Sequence, residues 1–104
     1  MNQPDELIFE MQQGSEKAFS QLYEMYSRAI YSVIHVILRD DEVTEEVLQD
    51  VFVKVWKNAN SYSVEKGRFY TWLLNIARNT AIDKTRSKSF KNSNKNLSTD
   101  NFVY

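Results

Sequence analysis

The sequence predicts an all-α fold, a compact bundle of about four helices followed by a disordered C-terminal tail. Three observations lead there. Apolar residues recur at spacings of three and four through most of the chain, the helical period. Two glycines and one proline leave little material for the turns of a β fold. Hydrophobic residues make up 42% and aromatics 13% of 104 residues, enough to fill one core and too short for two.

The elements follow in order. Pro4 suits a first helical turn, Asp5 and Glu6 complement its dipole, and Leu7, Ile8 and Met11 give it an apolar side before Gly14 ends it. Ser15 then caps a long second helix whose stripe is Phe19, Leu22, Tyr23, Tyr26, Ile30, Val33, Ile34, Ile37 and Leu38. Arg39-Asp40-Asp41 breaks the stripe, and either aspartate can cap a third helix running to about Asn58. Its apolar face is Val43, Val47, Leu48, Val51, Phe52, Val55, Trp56 and Ala59, and its opposite face is acidic, with Glu42, Glu45, Glu46, Gln49 and Asp50.

Asn60 to Gly67 has no apolar period and reads as a loop. From Arg68 to about Arg86 a fourth helix buries Phe69, Trp72, Leu73, Ile76, Ala77 and Thr80 and carries polar Asn75, Arg78, Asn79, Asp83, Lys84 and Arg86 on its other faces. Beyond it the chain is rich in Ser, Asn and Lys. Residues 1–87 are therefore expected to form the helical domain and 88–104 a flexible linker or tail.

Several function classes are excluded. There is no cysteine, His35 is the one histidine, no Ser/His/Asp or Cys/His set can be assembled, and no glycine-rich phosphate loop is present. The chain reads as a non-enzyme without a cofactor. Glu46 and Asp50 share a face, yet two carboxylates without further ligands are poor grounds for a metal. The longest apolar stretch, Ala29 to Leu38, is interrupted by Tyr31, Ser32 and His35 and falls short of the roughly 20 residues a bilayer needs. The first residues lack the basic start of a signal peptide, so a cytoplasmic location without membrane contact is expected.

The net charge of -1 conceals an asymmetry. Residues 1–50 hold three basic against eleven acidic side chains, and residues 51–104 hold ten basic against three acidic. Halves of opposite sign suit different partners, although either could be a solvated face. Arg68, Phe69, Tyr70 and Trp72, with Tyr62 upstream, place aromatics beside cations, as single-strand binders do. Their spacing favours core for Trp72 and Leu73 and exposure for Tyr62 and Tyr70. Arg78, Asn79, Lys84 and Arg86 can meet phosphates or base edges, while Asp83 pairs with Arg86 at i,i+3.

Three stretches, in this order, resemble one family. They are Phe19-Ser20-Gln21-Leu22-Tyr23-Glu24-Met25-Tyr26, then Thr44 to Trp56 (TEEVLQDVFVKVW), then Phe69 to Arg86 (FYTWLLNIARNTAIDKTR). Together they resemble the extracytoplasmic-function (ECF) group of bacterial sigma factors, and specifically the promoter-melting domain, sigma region 2.

The resemblance implies a transcription initiation factor that binds core RNA polymerase and melts the −10 promoter element. It implies that the third helix docks on the β′ clamp helices, through Glu46, Gln49, Asp50 and Phe52 here. It implies that the loop Asn60 to Gly67 and the last helix bind the −10 element and capture a flipped base of the non-template strand, through Tyr62, Arg68, Phe69, Tyr70, Trp72, Asn75, Arg78, Asn79 and Arg86. An anti-sigma factor is a further partner it implies. Family members usually carry a second helical domain that reads the −35 element, which is expected to be absent from this chain. Low net charge agrees, since a chain at -1 should bind free duplex DNA poorly. The alternative reading is a helical protein–protein module with no DNA role.

Overall fold

A computed structural model describes residues 4–87 of the chain. Its helices are α1 (Asp5–Gln12), α2 (Glu16–Leu38), α3 (Asp41–Lys57) and α4 (Phe69–Thr85), and no strand occurs among the described residues. The expected tail, 88–104, lies outside them.

Local chemistry sets the boundaries. Gly14 takes φ +101° after α1, a conformation that L side chains rarely adopt. Ser15 Oγ accepts from Ala18 N–H at 3.0 Å and opens α2. Of the two candidate aspartates it is Asp40 that caps α3, its Oδ1 accepting from Val43 N–H at 2.8 Å. Between them Arg39 adopts the left-handed conformation at φ 58° and donates its backbone N–H to His35 O at 2.7 Å. The α2–α3 corner is held further by Asp41 Oδ1, which accepts from Tyr31 Oη at 3.2 Å and lies 3.0 Å from His35 Nε2, with the Tyr31 and His35 rings stacked.

Helix α2 packs against α1, α3 and α4, and α3 and α4 pack on each other. The buried stripes meet in one core: Ile8 and Met11 from α1, Leu22, Ile30, Ile34 and Leu38 from α2, Val47, Val51 and Val55 from α3, and Phe69, Leu73, Ala77 and Ala81 from α4. Small Ala77 and Ala81 let α4 approach its neighbours closely. Thr44 is buried in the same core with a hydroxyl that has no hydrogen-bond partner.

The segment between α3 and α4 departs from the expected loop. It contains two 3-10 turns, Ala59–Ser61 and Val64–Lys66. Polar side chains account for the order. Gln12 Nε2 donates to both Ala59 O and Tyr62 O at 2.9 Å, pinning the segment to α1, and Ser61 Oγ donates to Asn58 O at 2.7 Å. Hydrophobic periodicity is blind to such contacts.

Two faces of a candidate interface

The acidic face of α3 has the geometry that its spacing implies. Glu42, Glu45, Glu46, Gln49 and Asp50 are all exposed, while Val47, Leu48 and Val51 between them are buried. Val53 and Trp56 extend the exposed surface toward the end of the helix, and the Trp56 ring meets Phe19 edge to face at 5.2 Å. Phe52 does not lie on this face. It is only 4% exposed, its ring packed edge to face on Tyr23 at 4.8 Å, so it supports the face from beneath. The helical angle explains the difference, because Phe52 sits next to Val51 and Leu48 on the apolar side of α3.

Helix α4 presents a second face. Thr71, Asn75, Arg78, Asn79, Ile82 and Arg86 recur at spacings of three and four and are exposed together. Arg68 is exposed just before the first turn. Arg86 Nη1 reaches Asp83 Oδ1 at 3.9 Å, the expected i,i+3 pair, with both side chains largely in water and therefore weakly coupled.

The aromatic residues sort differently from the expectation. Tyr62 is buried at 5% exposure, its hydroxyl donating to Gly67 O at 2.8 Å and its ring 5.4 Å from Phe69 and 5.5 Å from Trp72. Its hydrogen bond satisfies the polar end and makes burial inexpensive. Phe69 is deeper still, at 1%. Trp72, expected in the core, is half-buried against Phe69 and Tyr62. Only Tyr70 among the expected pair is partly open, and it is not alone. Tyr26 of α2 stacks on it, ring centroids 5.7 Å apart and planes 25° apart. Burial pushes the Tyr26 hydroxyl above its ordinary value of 10.0, with the Arg68 charge acting in the opposite direction. The sequence hid this residue because Tyr26 falls on the apolar stripe of α2.

The two faces are linked. Glu46 Oε1 of α3 lies 3.7 Å from Lys84 Nζ of α4, and Lys54 Nζ donates to Thr80 Oγ1 at 3.1 Å. No group of three or more His, Cys, Asp or Glu side chains able to hold a metal, and no helix long and apolar enough to cross a membrane, occurs among the described residues.

The family model for sigma-70 region 2 matches residues 22–91, from the second turn of α2 through all of α3 and α4. The chain belongs to the sigma-70 region 2 family. It is 36% identical over 84 residues to the ECF RNA polymerase sigma factor SigK of Mycolicibacterium vanbaalenii, an alignment covering 81% of this chain and 43% of that protein. The ECF sigma factors SigK of Mycobacterium tuberculosis and Mycobacterium ulcerans are each 30% identical, over 88 and 82 residues, covering 85% and 79% of this chain and 47% and 44% of theirs. The region 2 domain thus groups with the ECF branch, as the three stretches implied. The chain spans less than half the length of the curated relatives it matches.

Proposed function

We propose that this region 2 domain serves an RNA polymerase sigma factor, tying core polymerase to promoter DNA and holding the −10 element open. The observation that carries the reading is the segregation of exposed charge within a sigma-70 region 2 domain. Carboxylates crowd the outer face of α3, while arginines and asparagines occupy the outer face of α4.

In this reading Glu46, Gln49 and Asp50 meet basic residues of the β′ clamp helices, with Phe52 holding α3 in shape behind them. An anti-sigma factor covering the same carboxylates would compete with polymerase. Arg68, Arg78 and Arg86 neutralise phosphates of the −10 strand, and Asn75 and Asn79 offer amides to base edges or backbone oxygens. Tyr70 contacts the bases directly, whereas Tyr62, Phe69 and Trp72 form the scaffold that fixes the loop and the start of α4. Extruding a base costs a few kcal/mol of unstacking, which contacts to the open strand offset. No hydrolysis is needed: affinity for the open strand, realised once polymerase holds the domain in place, shifts the duplex-to-open equilibrium. Such work on promoter DNA belongs in the cytoplasm.

The test separates the two faces. Glu46→Lys with Asp50→Lys is expected to abolish binding to core polymerase at physiological salt. Asn79→Ala or Arg78→Ala should spare polymerase binding and weaken capture of a single-stranded −10 oligonucleotide by the polymerase complex. Unchanged polymerase binding in the double lysine variant would overturn the clamp assignment. Unchanged strand capture in both α4 variants would leave a helical protein–protein module with no DNA role.

A further inference from the structure

Helices α3 and α4 run antiparallel: Lys54, near the end of α3, meets Thr80, while Glu46, about two turns earlier, meets Lys84 in the last turn of α4. The end of α4 therefore lies beside the first half of α3. That half carries Asp41, Glu42, Glu45, Glu46 and Asp50, all exposed. Carboxylates three and four residues apart on one helix repel each other, so a cation brought to them is favoured. Asp41 has His35 and Glu46 has Lys84, whereas Glu42, Glu45 and Asp50 have no cation partner among the described residues. The sequence that follows α4 has the opposite sign. Residues 88–99 hold Lys88, Lys91 and Lys95 and no acidic side chain. With Lys84 they form a series at spacings of four, three and four, whose first member is already on the acidic face.

We propose that the segment 88–95 folds back on the acidic face of α3, its lysines meeting Glu42, Glu45 and Asp50, and that core polymerase must displace it to use that face. The inference rests on the clamp-binding reading above and adds to it a competitor within the same chain. Reach is no obstacle. From Glu42 to Asp50 the helix rises about 12 Å, and from Lys88 to Lys95 an extended chain spans up to about 25 Å. One ion pair in water is weak, but three on one short tether act together, at an effective concentration of about a millimolar. The same weakness makes the cover salt-sensitive and easily displaced by a partner that binds the face more tightly. The outer face of α4 is a poor seat for the segment, since Arg68, Arg78 and Arg86 are exposed there and repel its lysines.

The experiment compares the full chain with a variant carrying Lys88→Gln, Lys91→Gln and Lys95→Gln, changes outside the helices that leave the core untouched. Amide nitrogen–proton spectra at low salt should differ between the two across residues 42–50, and the difference should vanish at high salt. In a binding titration at low salt the glutamine variant should take core polymerase roughly two- to tenfold more tightly than the wild-type chain, an advantage lost at high salt. Charge exchange gives a second arm. Glu42→Lys with Glu45→Lys should abolish the salt-dependent shifts, as should Lys88→Glu with Lys91→Glu, and all four changes together should restore them. Spectra across 42–50 that do not respond to the glutamine changes overturn the contact, whatever polymerase does. Spectra that respond while polymerase affinity stays the same overturn the competition. Glu46→Lys with Asp50→Lys then locates the fault: if that variant loses polymerase, the clamp reading stands without a competitor, and if it binds normally, the clamp reading falls as well.

Discussion

Glu46 on the acidic face of α3 is paired with Lys84 of α4 at 3.7 Å, so the two faces of the domain share an ion pair. The Glu46 side chain is 61% exposed and that of Lys84 22%, which places the pair in high dielectric. A contribution of about 0–1 kcal/mol follows, further reduced by salt. Glu46→Gln and Lys84→Gln in a double-mutant cycle should therefore give a coupling energy below about 1 kcal/mol by urea unfolding. A coupling above that bound would mean the pair holds α3 to α4, and loss of polymerase binding in Glu46 variants would then be open to a folding explanation.

The cluster of Tyr62, Phe69 and Trp72 supports a ranking. Phe69→Ala removes a ring enclosed on all sides and should cost about 3–5 kcal/mol. Trp72→Ala removes a half-buried ring and should cost less, about 2–3 kcal/mol, because part of its area stays in water in the native state. Denaturant titration of both variants checks the order, and a costlier Trp72→Ala would place that ring deeper than its half-buried position.

How much of this was legible beforehand follows from which signal each residue carried. The core stripes of α2, α3 and α4 are readable because apolar burial repeats with the helical period, Ser15 announces itself as a cap, and the cap of α3 narrows to Asp40 or Asp41, of which the structure uses Asp40. The exposed members of the two faces were readable as their complement. Tyr62 lies deeper than its position in a polar loop implies, whereas Phe52 is buried where the apolar stripe of α3 puts it, beneath the acidic face to which the resemblance joins it. A tyrosine in a polar loop looks exposed until a backbone acceptor such as Gly67 O is brought to its hydroxyl. A phenylalanine two and three residues beyond Asp50 and Gln49 points about 160° and 60° away from them around a helix. Tyr26, Gln12 and the Glu46–Lys84 pair depend on which helices become neighbours, and no local pattern encodes that.

Gln12 illustrates the point and gives a prediction. Its amide donates to two carbonyls of the α3–α4 segment. Gln12→Ala leaves both acceptors to water or unpaired and should destabilise the domain by about 1–2 kcal/mol. Amide hydrogen exchange should rise selectively across residues 59–67, and uniform protection there would show that the segment is held by Tyr62 instead.

Thr44 offers a change in the opposite direction. Its hydroxyl is buried without a hydrogen-bond partner, and Thr44→Val keeps the shape while removing the polar atom. The variant should be more stable by about 1 kcal/mol, the desolvation penalty of an unsatisfied group. A loss of stability on urea unfolding would mean that the hydroxyl gains a partner in solution.

Alkaline pH tests the aromatic corner and the α2–α3 corner together. Tyr26 is raised above 10.0 chiefly by burial, and Tyr31 chiefly by desolvation and then by its hydrogen bond to Asp41. A phenol whose folded pKa exceeds its unfolded one holds its proton more tightly in the native state. Its stabilising contribution is complete below the unfolded value and is lost as pH rises through the folded one. The contribution of these two tyrosines should therefore be constant below about pH 9 and decline above pH ~10, where unfolded tyrosines begin to release protons first. Tyr26→Phe and Tyr31→Phe should each flatten part of that decline, since phenylalanine keeps the ring and cannot ionise. Urea titrations at stepped alkaline pH give the slopes. A double variant that declines as steeply as the wild type would place the alkaline sensitivity in other groups.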